Sequence, residues 1–404
     1  MTAPGSPPSP AAAARRGPRG HAPGARPATA DLAVLGGGQL GLLLARAGAG
    51  LGVRVHILDP DPRCPAAPWA ARFIRADWDD AAAIALLAQG CDALTLEIEV
   101  PPPAALAALE RAGVRVLPGS RTLARIQDKL RQRRALARAG LPQPRFAAAL
   151  GPLARAVAAF GGPCVVKARR AGYDGKGVLL PQGPSDPRLA GFTAPCLLEA
   201  RVDLALELAV VVVRGRDGAM VDYDPVELAM DPRLHLMESL AAPARIAPGL
   251  ARRARALARA AAVALGAVGA VGVELFVDRR GRLSVNEVSP RVHNSGHHSL
   301  EACATSQFEN HLRAVLGWPL GETRGLSPAA TANLLGPAGL RGPYRVEGLE
   351  EALALPGLHV HLFGKAEASP GRKLGHVTAL ALAVPEALRR VRRARRLIRF
   401  VEAS

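Results

Sequence analysis

From Asp31 onward, short apolar runs alternate with amphipathic stretches. Residues 32–35 form an apolar run that ends in Gly36-Gly37-Gly38, and residues 39–49 continue with helical spacing. Residues 53–58, 93–97 and 114–117 repeat the short apolar pattern, and residues 81–88 and 103–111 repeat the helical one. Strands alternating with helices predict a parallel sheet with crossover connections. Residues 31–122 are therefore expected to form a small doubly wound lobe.

The next stretch changes character. The pattern predicts a basic helix over 123–139, stopped by a loop at 141–145 that carries two prolines. A helix at 152–160, a strand at 164–167 and a glycine-rich loop at 171–177 follow. Further strands are expected at 196–199, 207–213, 272–277 and 283–288, with a long Ala/Arg helix at 250–265. These bound a second lobe at 123–325. Residues 326–404 read as a small β-rich lobe closing on a basic helix at 385–401. The expected class is α/β and α+β in three lobes.

Composition changes this picture at three points. With 404 residues, the chain exceeds what one core organises efficiently, which supports several lobes. The formal net charge of +18 suggests anionic partners. The arginines are scattered through amphipathic stretches rather than gathered in one basic block, however, so compositional bias is favoured over nucleic-acid binding. Residues 1–30 hold no acid and are rich in Pro, Gly, Ala and Arg, which predicts a disordered basic extension. Five dispersed cysteines without a C-x-x-C pair indicate a reducing cytoplasm rather than a disulfide framework. No apolar run is long enough to span a membrane.

Four segments carry candidate chemistry. Lys167 ends a strand before Gly172-Tyr173-Asp174-Gly175-Lys176-Gly177, where backbone amides can approach phosphate oxygens. Glu274 and Glu287 lie on adjacent apolar strands joined by a tight turn. Two carboxylates side by side there call for a cation, and Mg²⁺ commonly bridges such acids to nucleotide phosphates. Arg291, His293 and Asn294 follow directly and could hold an anionic intermediate and substrate oxygens. His297 and His298 are read as structural, capping the helix that starts near Ser299. Lys365, Arg372 and Lys373 flank a Pro-Gly turn, a setting suited to a phosphate monoester.

In this order, Gly-Gly-Gly-Gln-Leu-Gly at 36–41, Gln127-Asp128-Lys129, the loop 172–177, Glu274, Asn286-Glu287, Pro290-Arg291-Val292-His293-Asn294-Ser295-Gly296-His297 and Gly371-Arg372-Lys373-Leu374-Gly375-His376 resemble the 5-(carboxyamino)imidazole ribonucleotide synthases of the ATP-grasp superfamily. The likeness spans about residues 31–382. It implies the three-lobed ATP-grasp architecture and ATP-dependent carboxylation of 5-aminoimidazole ribonucleotide by bicarbonate through carboxyphosphate. Mg²⁺ (or Mn²⁺) is implied as cofactor, and a cytoplasmic homodimer as the working state.

By the resemblance, Lys129 and Lys167 would meet ATP phosphates, together with Gly172, Tyr173, Asp174, Gly175, Lys176 and Gly177. Glu199, Ala200, Arg201 and Val202 would form the adenine hinge and Glu207 would bind the ribose. Glu274 and Glu287 would hold the metal beside Asn286. Tyr173, Lys176, Arg291 and His293 would act at the reacting centre, with Asn294 and Glu97 on the ribonucleotide. Lys365 and Arg372 would hold its phosphate. The chain departs from the family pattern at Val178, Met230 and Ser369, and it is one residue short in Glu97-Ile98-Glu99-Val100-Pro101. A formate-using glycinamide ribonucleotide transformylase would share the nucleotide machinery without the 290–297 and 371–376 signatures. A non-catalytic nucleic-acid-binding protein would need no paired acids.

Overall fold

The computed structural model describes residues 29–170, 177–231 and 236–403. The first lobe is built on four parallel strands: β1 (Ala30–Leu35), β2 (Val53–Leu58), β3 (Arg72–Ile74) and β4 (Ala93–Leu96), ordered β3-β2-β1-β4. Helices α1 (Gln39–Gly50), α2 (Ala81–Ala88) and α3 (Pro103–Arg111) supply the crossovers. Alternation along β1 explains both faces. Leu32 and Val34 pack with Leu40, Leu43 and Leu44 of α1, whereas Ala33 and Leu35 pack with Ile84, Leu87 and Leu106 of α2 and α3. The strand expected at 114–117 contributes only a bridge between Val116 and Leu94.

The basic helix expected over 123–139 is two helices, α4 (Ser120–Ile126) and α5 (Lys129–Arg138). The break has a local cause. Asp128 adopts an extended backbone, and its carboxylate accepts hydrogen bonds from the amides of Leu130 and Arg131, so it caps a new helix rather than continuing the old one. Lys129 is thereby placed in the first turn of α5.

The second lobe holds two antiparallel sheets. The smaller contains β5 (Phe146–Ala148), β6 (Cys164–Ala168), β7 (Val178–Leu179) and β8 (Cys196–Ala200), ordered β5-β8-β6-β7 and covered by α6 (Leu153–Phe160). The larger begins with β9 (Leu204–Arg214), β10 (Met220–Asp222), β11 (Val226–Met230) and β12 (Met237–Ala242). Helix α7 (Pro248–Leu265) then leads to the hairpin β13 (Gly269–Asp278) and β14 (Leu283–Ser289). On α7, Ala254, Leu257, Ala258, Ala261, Ala262 and Leu265 recur at helical spacing and seat it against the sheet, and Gly266 at φ +70° ends it. Short α8 (Ser299–Ala302) and α9 (Gln307–Leu316) complete the lobe.

The third lobe does not stand apart. Its strands are β15 (Ala329–Leu335), β16 (Tyr344–Glu347), β17 (Leu358–Leu362) and β18 (Lys373–Leu380), with α10 (Leu349–Leu353) between β16 and β17. The larger sheet runs β14-β13-β9-β11-β12-β15-β18-β17, so it crosses the boundary read at residue 325. The final helix, α11 (Val384–Leu397), is shorter than the stretch expected over 385–401, and its tail becomes β19 (Arg399–Glu402) on β16.

Buried histidines join the lobes. His311 accepts a hydrogen bond at Nδ1 from the Ala270 amide (3.0 Å), which leaves Nε2 to donate to Thr95 Oγ1 of the first lobe at 2.8 Å. His297 stacks on His376 with ring centroids 4.4 Å apart, and His376 on His361 at 4.5 Å. His361 meets Glu301 at 2.6 Å. His297 and His298 do not cap the following helix with their side chains as expected. His297 lies inside this stack, and His298 Nδ1 contacts the Ser295 carbonyl.

Candidate active site

A cleft of about 930 Å³ separates the two sheets of the second lobe. Its floor is the β13–β14 hairpin, whose register sets Glu274 directly opposite Glu287. Two carboxylates on adjacent strands repel each other. Burial, reinforced by Glu287 and Glu207, pushes Glu274 up to about 7. Glu287 escapes the same fate: burial would raise it, but contact with the Lys129 ammonium more than offsets this and holds it below the usual range. Asn286 lies between them, its amide nitrogen donating to Glu274 Oε2 at 3.2 Å.

Lys167 reaches the cleft from the opposite sheet. Its ammonium lies 2.8 Å from Glu199 Oε2 and donates to Asn286 Oδ1 at 3.3 Å. The other Glu199 oxygen is bound by Arg133 Nε at 2.6 Å. Burial alone would raise Glu199, but the two cations bring it down to about 2, so it remains a carboxylate. The sequence reading placed Glu199 in an adenine hinge. Its side chain turns onto Lys167 and Arg133, and Glu199, Ala200, Arg201 and Val202 all line the cleft. Glu207 sits on β9 beside Phe276 and lines the same cleft. Val178 and Met230, two of the departures, are both 39% exposed and border it.

At the far end the chain leaves β14 through Ser289-Pro290-Arg291. Arg291 Nε lies 2.9 Å from Glu99 of the first lobe. His293 is locked by its backbone: its amide donates to Gln307 Oε1 at 2.9 Å, and its carbonyl accepts from Gln307 Nε2 at 2.6 Å. Burial, with help from Arg291 and Lys373, pushes His293 down to about 3, so its imidazole is neutral at physiological pH. Its Nδ1 meets Ser295 Oγ at 2.8 Å and its Nε2 lies 3.7 Å from Glu274. The buried side-chain oxygen of Asn294, Oδ1, has no hydrogen-bond partner among the described residues. It is therefore an acceptor available to a ligand.

Other expected residues lie elsewhere. Glu97 is drawn away from the cleft: its carboxylate accepts from the amides of Gly38 (2.8 Å), Leu40 (3.1 Å) and Gly41 (3.0 Å), and so caps α1. The acid that meets Arg291 is Glu99, which the sequence reading passed over. Lys365 reaches across to Gln39 of α1 at 3.2 Å, and Arg372 donates to the Glu367 carbonyl at 2.7 Å. Both lie on the loop between β17 and β18, against the first lobe. Gly172, Tyr173, Asp174, Gly175 and Lys176 lie outside the described residues; Gly177, at φ +71°, accepts from the Ala168 amide at 2.7 Å.

Two further residues were missed. Arg133 is 2% exposed beneath the cleft. Gln132 pairs with both the carbonyl and the amide of Val288 (3.1 and 3.2 Å), fixing β14 to α5. Lys373, expected with Lys365 and Arg372 as a phosphate-binding cation, lines the cleft near His293. A signal for the first two existed: they lie three and four residues after Lys129, on the same helix face.

A nucleotide-sized cleft between two antiparallel sheets, with lysines on both walls and paired carboxylates on its floor, defines an ATP-grasp enzyme. The comparisons agree with this and match three successive segments between residues 29 and 390. Residues 29–127 match the ribonucleotide synthetase preATP-grasp domain, 134–308 the ATP-grasp domain, and 329–390 the phosphoribosylaminoimidazole carboxylase C-terminal domain. The N5-carboxyaminoimidazole ribonucleotide synthase of Synechococcus elongatus is 41% identical over 377 residues, covering 92% of this chain and 94% of that one. The crystal structure of the N5-carboxyaminoimidazole ribonucleotide synthetase from Thermotoga maritima superposes with a TM-score of 0.85 at 37% identity, covering 93% of this chain and all of that one. An Aspergillus clavatus enzyme in complex with ADP and 5-aminoimidazole ribonucleotide gives 0.83 at 29% identity, with coverages of 91% and 98%. The chain belongs to the N5-carboxyaminoimidazole ribonucleotide synthase family.

Proposed function

We propose that this chain performs the ATP-dependent conversion of 5-aminoimidazole ribonucleotide to N5-carboxyaminoimidazole ribonucleotide, taking the carboxyl group from bicarbonate. The observation that carries the reading is the pairing of Glu274 with Glu287 across the cleft floor, between two lysines and next to Arg291 and His293. A bicarbonate oxygen attacks the γ-phosphorus of ATP, the bond to the β-phosphate oxygen breaks, and ADP leaves. The amine nitrogen of the ribonucleotide then attacks the carboxyl carbon of carboxyphosphate, or the CO₂ it releases. The carbon–oxygen bond to phosphate breaks, and the nitrogen gives up a proton.

The residues support each demand. Lys129 and Lys167 offer positive charge to the phosphates where it accumulates. Arg291, oriented by Glu99, faces the anionic intermediate. His293, kept neutral, can donate or accept a hydrogen bond at the reacting end without repelling Arg291. Loop 171–176, with Tyr173 and Lys176, would exclude water from the hydrolysable intermediate. Lys365 and Arg372 would hold the ribonucleotide phosphate.

The donor set also fits a divalent cation. Among the described residues, no group of three or more His, Cys, Asp or Glu side chains is arranged to hold a metal ion by itself. Two carboxylates suffice for Mg²⁺, however, because phosphate oxygens and water complete its shell. The raised Glu274 is an acid crowded by two others, and a hard cation would relieve it. Glu274 and Glu287 would hold Mg²⁺ or Mn²⁺, which when bound neutralises charge on the transferring phosphate. The cytoplasm and a homodimer remain the expected setting.

The test is ADP release by purified protein with Mg-ATP and bicarbonate, with and without 5-aminoimidazole ribonucleotide. Ribonucleotide-dependent ADP formation is expected. Binding of ATP without any stimulation by the ribonucleotide would overturn the acceptor assignment.

A further inference from the structure

Arg133 belongs to none of the sequence motifs and does not line the cleft, yet it ties the cleft's two walls together. A buried guanidinium is costly to desolvate unless its donors are well used. Here they are. Nε binds Glu199 of β8 at 2.6 Å, and Nη1 donates to the Val285 carbonyl of β14 at 2.7 Å. Nη1 also donates to Gln143 Oε1 at 3.4 Å, and Gln143 Nε2 in turn donates to the Arg133 backbone carbonyl at 2.8 Å. Val285 immediately precedes Asn286, which also takes the Lys167 ammonium.

A closed circuit results: Arg133 to Glu199, Glu199 to Lys167, Lys167 to Asn286, and the neighbouring carbonyl of β14 back to Arg133. The circuit spans β8 and β6 of the small sheet and β14 of the large one. We propose that Arg133 is a positioning residue for Lys167: by sharing Glu199 and gripping β14, it sets how far the Lys167 ammonium extends toward the nucleotide phosphates. Without Arg133, Glu199 keeps Lys167 as its only cation and draws the ammonium back to the wall. Nucleotide affinity then falls while the ribonucleotide end of the site, held by Arg291 and Gln307, is untouched. The inference rests on the reading of Lys167 as a phosphate ligand.

The experiment compares Arg133→Met, Arg133→Lys, Lys167→Met and the double variant Arg133→Met/Lys167→Met by steady-state kinetics, varying ATP and 5-aminoimidazole ribonucleotide separately. Arg133→Met is expected to raise the KM for ATP by about 10–100-fold, the range for residues that orient a ligand group. The KM for the ribonucleotide should stay within about threefold, and added methylguanidinium should restore part of the ATP affinity. Arg133→Lys keeps the buried charge but cannot span both Glu199 and Val285, so it should fall between. It carries the same comparison if the methionine variant does not fold. The double variant should be no worse for ATP than Lys167→Met, because both act through one ammonium. A merely structural arginine would instead add its effect to that of Lys167→Met, and that result overturns the proposal. So does an unchanged KM for ATP in folded Arg133 variants when Lys167→Met raises it. If Lys167→Met also leaves the KM for ATP unchanged, the phosphate assignment of Lys167 fails first and takes this inference with it.

Discussion

Replacing Gly272 with alanine should disable the enzyme without unfolding it. Gly272 lies on β13 two residues before Glu274, so a side chain there points to the same face of the sheet as the metal-site acid. A Cβ at this position would lie 2.5 Å from both Cβ and Cγ of His293. Ordinary contact begins near 3.4 Å, so something must move by about 1 Å. Rotating the ring gives no relief, because His293 Cβ is fixed by its backbone, and that backbone is held on both sides by Gln307. The whole segment carrying His293 must therefore shift. A misplacement of about 1 Å at a reacting centre costs on the order of 100-fold in rate, about 2.7 kcal/mol of barrier. Alanine suits a strand interior at least as well as glycine, so the fold should persist. The assay is ribonucleotide-dependent ADP release beside ATP binding by calorimetry. The expected result is a kcat lowered about 100-fold with ATP affinity nearly unchanged. A folded Gly272→Ala protein with kcat within threefold of the parent would refute the claim that His293 must sit where it does.

Three other outcomes follow from the same geometry. Glu274→Gln should lower kcat/KM by at least about 100-fold, yet raise the melting temperature above pH 7, because it removes a charge crowded by Glu287 and Glu207; thermal melts of the ligand-free protein at pH 8 decide the second half. His298 and His311, both pushed down to about 4 by burial, take up protons on unfolding below their ordinary value of 6.5. Stability should therefore be full above pH 6.5 and fall as pH drops toward 4, with a loss of roughly 2 kcal/mol per histidine at pH 5; a urea midpoint independent of pH between 7 and 5 would contradict this. Glu97→Ala strips the cap from three amides at the start of α1 and should cost roughly 2–4 kcal/mol, read as a lower urea midpoint; little change would mean that those amides find other acceptors.

What the sequence displayed was local. The β13–β14 hairpin and its facing acids were legible because a short turn between two apolar runs fixes their pairing. The doubly wound lobe was legible because its strands and helices alternate in order. The break at Asp128 was harder: Gln127-Asp128-Lys129 stands in a continuous basic stretch, and only the capping chemistry of Asp128 marks it. Glu97 and Glu99 are alternate residues of one segment, and alternation alone could not say which faced α1 and which faced Arg291. Arg133 was hidden among surface arginines, since burial depends on Glu199, 66 residues away. The pairing of β12 with β15 joins strands almost ninety residues apart, beyond the reach of any periodicity.

That last pairing bears on how the lobes can be inherited. The family descriptions divide the chain between residues 308 and 329, as though the final lobe were a detachable cassette. Cut there, β12 would become a bare, largely apolar edge, ready to pair with another chain. The connection also runs inward: Asn333 of β15 donates to the Met237 carbonyl at 2.9 Å, and Met237 touches the Asn294 amide at 3.8 Å. A change at Asn333, which does not itself line the cleft, can therefore retune the substrate end without replacing one residue that touches it.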